Sequence, residues 1–214
     1  PLTVRTGIGG GRSGAAQHSQ SLHAIVAHIP GIYVALPATP ADVKGLLKTA
    51  IRVDNVVVVC EHKVLFSSKG MVPEGEHLVP LGQAAVRREG KDVTIVAFSI
   101  MVQRALEAAE ILAADGIDAE VIDPRTLHPL DVGTITRSLR KTQHLVVVDE
   151  GNERCGATAY VAAVVAREAF DYLDAPVERI GTLDAPIPFS NPLEEAVIPQ
   201  SRMIVERVRR LLSR

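Results

Sequence analysis

The sequence has 214 residues, 47% of them apolar and 22% charged, which is the balance of a globular chain of one or two domains. Lys and Arg number 23 and Asp and Glu 25, a formal net charge of −2 that argues against a nucleic-acid binder or a polybasic membrane adsorber. No apolar run reaches the roughly 18 residues of a membrane span, and Cys60 and Cys155 are too few for a disulfide framework, so the chain reads as cytoplasmic with reduced thiols.

Pro1 is not an initiator Met, and Leu2 to Thr6 opens inside a strand-like run, so the sequence is expected to be a fragment or a processed product. The loop Gly7 to Gly14 follows. It matches a dinucleotide-binding glycine spacing at Gly9, Gly11 and Gly14, but no acid stands about 20 residues further on, which favours a mobile loop or one of close backbone approach. Gly14-Ala15-Ala16-Gln17-His18-Ser19-Gln20-Ser21 is the densest polar cluster. Ser19 or Ser21 is expected to cap the next helix, leaving Gln17 and His18 in a strand-to-helix turn. In open α/β sheets ligands bind at that edge, and an imidazole there titrates near neutrality and can move a proton. From pattern alone His18 is either that group or a hydrogen-bonded loop residue. A metal site on His18, His23 and His28 is rejected, because a spacing of five turns each side chain by roughly 140° around a helix.

Leu22, Ile25, Val26 and Ile29 share a helical stripe, expected to face the core, and Ile32 to Ala35 reads as a strand. Val43, Leu46, Leu47 and Ala50 repeat the helical spacing, with Asp42 in the first turn. The four valines Val56 to Val59 suit a strand buried on both faces of a parallel sheet. Glu61 to Gly90 is rich in Gly and Pro and reads as an ordered connection. Strands are then expected at Val93 to Val96, Ala119 to Ile122 and Leu145 to Val148, with helices at Val102 to Gly116 and Met203 to Leu212. In Asp123 to Asp131 the prolines fix a turn, His128 is a packed or surface residue, and Asp131 caps the next helix. Asp149 and Glu150, paired acids at a strand end, are either functional or, by default, capping acids on a solvated rim. The alternation predicts an α/β fold with a mostly parallel sheet. Residues 1–60 form the remainder of one unit, 61–90 the connection and 91–214 a second, complete unit.

The motifs Gly14 to Ser21, His28-Ile29-Pro30-Gly31, Lys44-Gly45-Leu46-Leu47, Val121 to Thr126, Leu173-Asp174-Ala175-Pro176 and Pro186 to Ser190 carry a family resemblance. Together they resemble the β subunit of the thiamine-diphosphate-dependent 2-oxo acid dehydrogenase first component. Val148-Asp149-Glu150, Arg154-Cys155 and Phe170 to Pro176 look most like acetoin dehydrogenase β subunits, and pyruvate dehydrogenase β subunits share most of the rest. The resemblance implies the second half of a pyrimidine-binding domain followed by a whole transketolase C-terminal-type domain. It implies an oxidoreductase that forms a carbanion or enamine on thiamine diphosphate, held with Mg²⁺, and passes the acyl group to lipoamide.

His18 falls at the family's active-site histidine. The family's activating glutamate lies before the first residue here, so no cofactor-binding residue is expected within the sequence and the fragment alone is expected to be inactive. The resemblance also implies potassium on the backbone carbonyls of Ala50, Val53 and Asn55, although Val53 and Val56 replace the usual Asp and Pro. Asp174 is implied in docking the lipoyl-bearing acyltransferase core. An α subunit and a β–β contact through the C-terminal domain are the remaining implied partners. The rival readings are a pyruvate or branched-chain enzyme, a single-chain transketolase-type enzyme, and a non-catalytic assembly module.

Overall fold

The computed structural model describes residues 1–213. Two sheets organise the chain. The first contains β1 (Leu2–Ile8), β2 (Ile32–Ala35) and β3 (Val56–His62), parallel to one another in the order β1, β3, β2. Its fourth strand, the edge strand β7 (Thr126–His128), comes from far along the chain and runs antiparallel to β2. The second sheet has the order β4 (Ala85–Arg88), β6 (Ala119–Asp123), β5 (Val93–Ala97), β8 (Leu145–Asn152), β9 (Glu178–Thr182). All its neighbours are parallel except β4 against β6. The fold is thus the expected α/β type with mostly parallel sheets.

The helices are α1 (Ala15–Ser19), α2 (His23–Ala27), α3 (Pro40–Arg52), α4 (Ile100–Ala114), α5 (Val132–Thr142), α6 (Ala157–Glu168), α7 (Asn191–Val197) and α8 (Ser201–Leu212). Thr39 caps α3 by accepting from the Asp42 N–H at 3.2 Å, and Asp131 caps α5 from Thr134 at 3.0 Å. β3 runs through Cys60 to His62, and β4, inside the Gly- and Pro-rich stretch, is an edge strand of the second sheet.

The valine run is buried on both faces for two different reasons. Val57 and Val59 pack with Leu46 and Ala50 of α3. Val58 and Cys60 point the other way, into a core shared with Val96, Phe98 and Ile122 of the second unit and Ile135 and Leu139 of α5. One apolar core therefore spans both sheets, and β7 reinforces the join by main-chain pairing. A second core lies on the far face of the second sheet, where Met101, Ala105 and Leu112 of α4 meet Ile204 and Val208 of α8. Ion pairs cross the same boundary. Asp42, at the start of α3, pairs with Arg125 at 2.9 Å and also with Arg87, which in turn holds Asp123.

Three local expectations are corrected. Of the stripe, Leu22, Ile25 and Ile29 are 49%, 64% and 49% exposed and only Val26 packs against the core, while the buried residue of α2 is His23. That helix has only five residues, and the tie its histidine makes, described below, fixes its rotation. Neither Ser19 nor Ser21 caps it: the cap position is Leu22. Asp149 and Glu150 are not on a solvated rim; they are 2% and 4% exposed, sealed where β8 meets the first unit. Among the described residues, no helix is long and apolar enough to cross a membrane.

Candidate active site

The C-terminal ends of β1 and β3 open onto a cleft of about 640 Å³ lined by Gly7, Ala16, Gln17, His18, Gln20, Leu22 and Lys63. His18 is exposed there, on α1. Its lining offers an imidazole, two carboxamides and an ammonium. Lys63 Nζ donates to the His18 carbonyl, which ties the backbone of α1 to the turn after β3. Gly14 makes room for this arrangement, since a Cβ there would lie 3.0 Å from His18 Cβ.

Beneath the cleft lies a buried acid–imidazole network that joins the two units. Asp149 Oδ2 lies 2.8 Å from His23 Nε2 and accepts the Gly151 N–H at 3.0 Å. Glu150 Oε2 lies 2.8 Å from His62 Nε2, and its Oε1 accepts the Gly10 N–H at 2.6 Å, with Ser21 Oγ at 3.5 Å. His62 Nδ1 accepts from the Val64 N–H at 3.2 Å, so Nε2 carries the proton that Glu150 receives. A third buried acid, Glu194 of α7, accepts the Ser13 N–H at 2.9 Å. The glycine loop is therefore a close-approach loop. Gly9 has φ +91°, and any Cβ there would collide with the His62 ring.

Electrostatics sets the charge states. Burial lowers the His23 pKa, but the charge and hydrogen bond of Asp149 and the charge of Glu150 outweigh it and leave the imidazole above its ordinary value. Burial raises Glu150, yet the hydrogen bond from His62, the Gly10 N–H and the charge of Arg104 hold it below the usual carboxylate range. At neutral pH the pairs are thus charge-assisted.

The expected site residues do not come together. Ala50, Val53 and Asn55 lie at the other end of the first sheet, around the end of α3. Their carbonyls accept from Thr3 Oγ1 at 3.1 Å, the Asn55 N–H at 2.9 Å and the Leu2 N–H at 3.2 Å respectively, leaving one lone pair apiece for a cation. Asp174 is exposed in the turn before β9; its N–H donates to the Gln143 carbonyl at 3.0 Å. Sequence reasoning did not pick out His62 and Glu194, weighed Asp149 and Glu150 as functional acids only against a default of capping, and considered His23 only as a rejected metal ligand. The available signal was Leu145 to Val148 running without a break into Asp149-Glu150, two acids carried inward on a buried strand.

Comparison with known proteins matches both units of the fold. The transketolase pyrimidine-binding domain model matches residues 1–68, and the transketolase C-terminal domain model matches 82–204. The chain is 46% identical, over 99% of its length and 63% of the relative's, to the acetoin:2,6-dichlorophenolindophenol oxidoreductase subunit beta of Cupriavidus necator. It is 46% identical to the pyruvate dehydrogenase E1 component subunit beta of Rickettsia felis, over 99% of this chain and 65% of that one. A solved split-gene transketolase, an inactive beta4 tetramer, superposes with a TM-score of 0.82 at 30% identity, covering 99% of this chain and 66% of the other. The chain thus spans a little under two thirds of the relatives it matches. With both domain models matched in order, it belongs to the transketolase family, and these relatives are β subunits of acetoin and pyruvate dehydrogenases.

Proposed function

We propose that this chain is the β-type portion of a thiamine-diphosphate-dependent acetoin or 2-oxo acid dehydrogenase, with His18 as its proton-transfer group. The observation that carries the reading is the placement of an exposed imidazole in a cleft at the strand ends, on a segment anchored from beneath by buried carboxylates. Relatives named for acetoin oxidation and for pyruvate dehydrogenase support acetoin first and pyruvate second as the substrate, with a branched-chain 2-oxo acid as a further alternative.

Thiamine diphosphate, with Mg²⁺, would supply an electron sink for breaking a bond beside a carbonyl. The cleft fits one wall of such a site. It is rich in donors, and no carboxylate among its lining residues is placed to activate a pyrimidine ring. That acid and the diphosphate ligands would come from other polypeptide, including an α subunit, so residues 1–214 alone are expected not to turn over. His18 then protonates the sulfur that leaves when a lipoyl dithiolane opens. Gln17 and Gln20 offer hydrogen bonds along the entry, and Lys63 fixes the backbone that carries the imidazole.

The partner readings follow the same logic. Asp174 suits docking of a lipoyl-bearing core because its carboxylate is exposed and takes no hydrogen bond or ion pair among the described residues, while its backbone is fixed. The C-terminal domain is assigned the β–β contact. A potassium ion at Ala50, Val53 and Asn55 would use the remaining lone pair of each carbonyl. The deciding experiment is His18→Ala in the full gene product, purified with the subunits it assembles with. Acyl transfer to lipoamide is expected to fall by roughly 10²–10⁴, the usual contribution of a general acid. Unchanged transfer would instead favour an assembly module.

A further inference from the structure

We propose that the buried His23–Asp149 pair is a positioning device for His18. The inference rests on the reading of His18 above and adds what holds that imidazole in place.

His18 rides on a short segment with little structure of its own. α1 has five residues, no side-chain cap and no acid in its first turn, which is far below the length at which a helix is stable alone. The backbone just before it is strained. Ser13 at φ +50° and Ala15 at φ +54° hold left-handed conformations that side chains with a Cβ avoid. Such residues persist only where the surroundings over-determine them.

The surroundings are specific. On the upstream side, Glu150 holds the Gly10 N–H and Glu194 holds the Ser13 N–H. On the downstream side, Asp149 takes His23 at 2.8 Å, and the Ser21 hydroxyl stands 3.5 Å from Glu150. Two adjacent residues of β8 therefore grip both ends of residues 10–23, and His18 sits in the span between them. The strongest polar contact of the downstream grip is His23–Asp149, with Lys63 holding the His18 carbonyl within the span. His23 Nδ1 has no partner among the described residues, and of the apolar residues of this segment Leu22, Ile25 and Ile29 are exposed while only Val26 and Ala27 pack against the core. Asp149 is fixed independently of His23 by the Gly151 N–H, so it is a rigid post and not a follower.

The test uses the full gene product with the subunits it assembles with. His23→Leu keeps bulk and removes the donor; His23→Gln restores a donor at the Nε2 position. In His23→Leu, amide exchange across residues 15–21 is expected to rise at least 10-fold, with β5 and α4 unchanged. Acyl transfer is expected to fall by roughly 10- to 100-fold, the scale of a misplacement of about 1 Å. His23→Gln is expected to recover to within about 3-fold of the parent in both readouts. In a His18→Ala background, His23→Leu should add no further loss, because a group that acts through His18 has nothing left to position. Unchanged exchange at residues 15–21 overturns the tether regardless of turnover, as does a His23→Leu loss that multiplies in full onto His18→Ala. Unchanged turnover in His18→Ala alone overturns the reading of His18, and with it this positioning role, even when the exchange result shows the tether.

Discussion

Replacing Glu150 by Gln removes one charge and changes almost no volume, so it isolates the electrostatics of the join between the two units. The wild-type carboxylate faces two donors, the Gly10 N–H at 2.6 Å and His62 Nε2 at 2.8 Å. A carboxamide has one accepting oxygen. In either orientation its NH₂ group confronts a donor. His62 cannot relieve the clash by moving its proton to Nδ1, because that nitrogen already accepts from Val64. One charge-assisted bond is lost, worth roughly 1.5–3 kcal/mol, and one buried donor is left unsatisfied at roughly 1–3 kcal/mol. The sum is about 2.5–6 kcal/mol, with the charge on Glu150 and a neutral His62 donating to it. With a urea m-value near the top of the usual range, about 3 kcal/mol/M, the midpoint should fall by about 0.8–2 M.

The pH dependence carries a sign. Glu150 is held below the usual carboxylate range in the folded state, so its contribution is complete above the unfolded value of about 4.5 and is lost as pH falls through the depressed folded value. The gap between wild type and Glu150→Gln should therefore be largest near neutrality and close on acidification. A midpoint change of less than about 0.3 M at pH 7, or a gap that widens at low pH, would refute the assignment of Glu150 as the charged centre of the join.

Three further outcomes follow from other parts of the structure. Gly9→Ala combines a left-handed φ of +91° with a collision against the His62 ring, and it should cost about 3 kcal/mol or more by thermal or urea unfolding. Burial first, and then the neighbouring charge of Asp42, raise Asp123 to about 6 against an ordinary 3.8, although Arg87 and the Arg125 N–H oppose the rise. The folded state thus holds this proton more tightly than the unfolded chain, and stability from this group falls as pH rises from 3.8 through 6. The full effect is about 3 kcal/mol, and Asp123→Asn should abolish that component of the difference between pH 4 and pH 7. Burial, with the charge of Glu61, pushes the Cys60 thiol up to about 12, while Cys155 is exposed. A thiol reagent at pH 8 should therefore label Cys155 in the native protein and reach Cys60 only on unfolding, which mass spectrometry of the two peptides would read.

Local pattern determined much of this protein. The β-branched runs at Ile32, Val56, Val93, Ala119 and Leu145 became β2, β3, β5, β6 and β8, and the cap residue Asp131 is where chain chemistry put it. These features depend on backbone preference and on burial along one element, both written in neighbouring residues. The family resemblance was equally legible, because its motifs are contiguous. Only tertiary structure decided which face of the first sheet meets the second unit, that Thr126–His128 leaves its own unit to pair with β2, and that α2 turns most of its apolar stripe outward. It also decided the site's foundation. Asp149 and His23 stand 126 positions apart, and Glu150 and His62 stand 88 apart. Each residue alone is an ordinary polar side chain. Their charge states and their grip on residues 10–23 arise from desolvation at a shared interface, a property of the packed pair that neither segment of sequence contains.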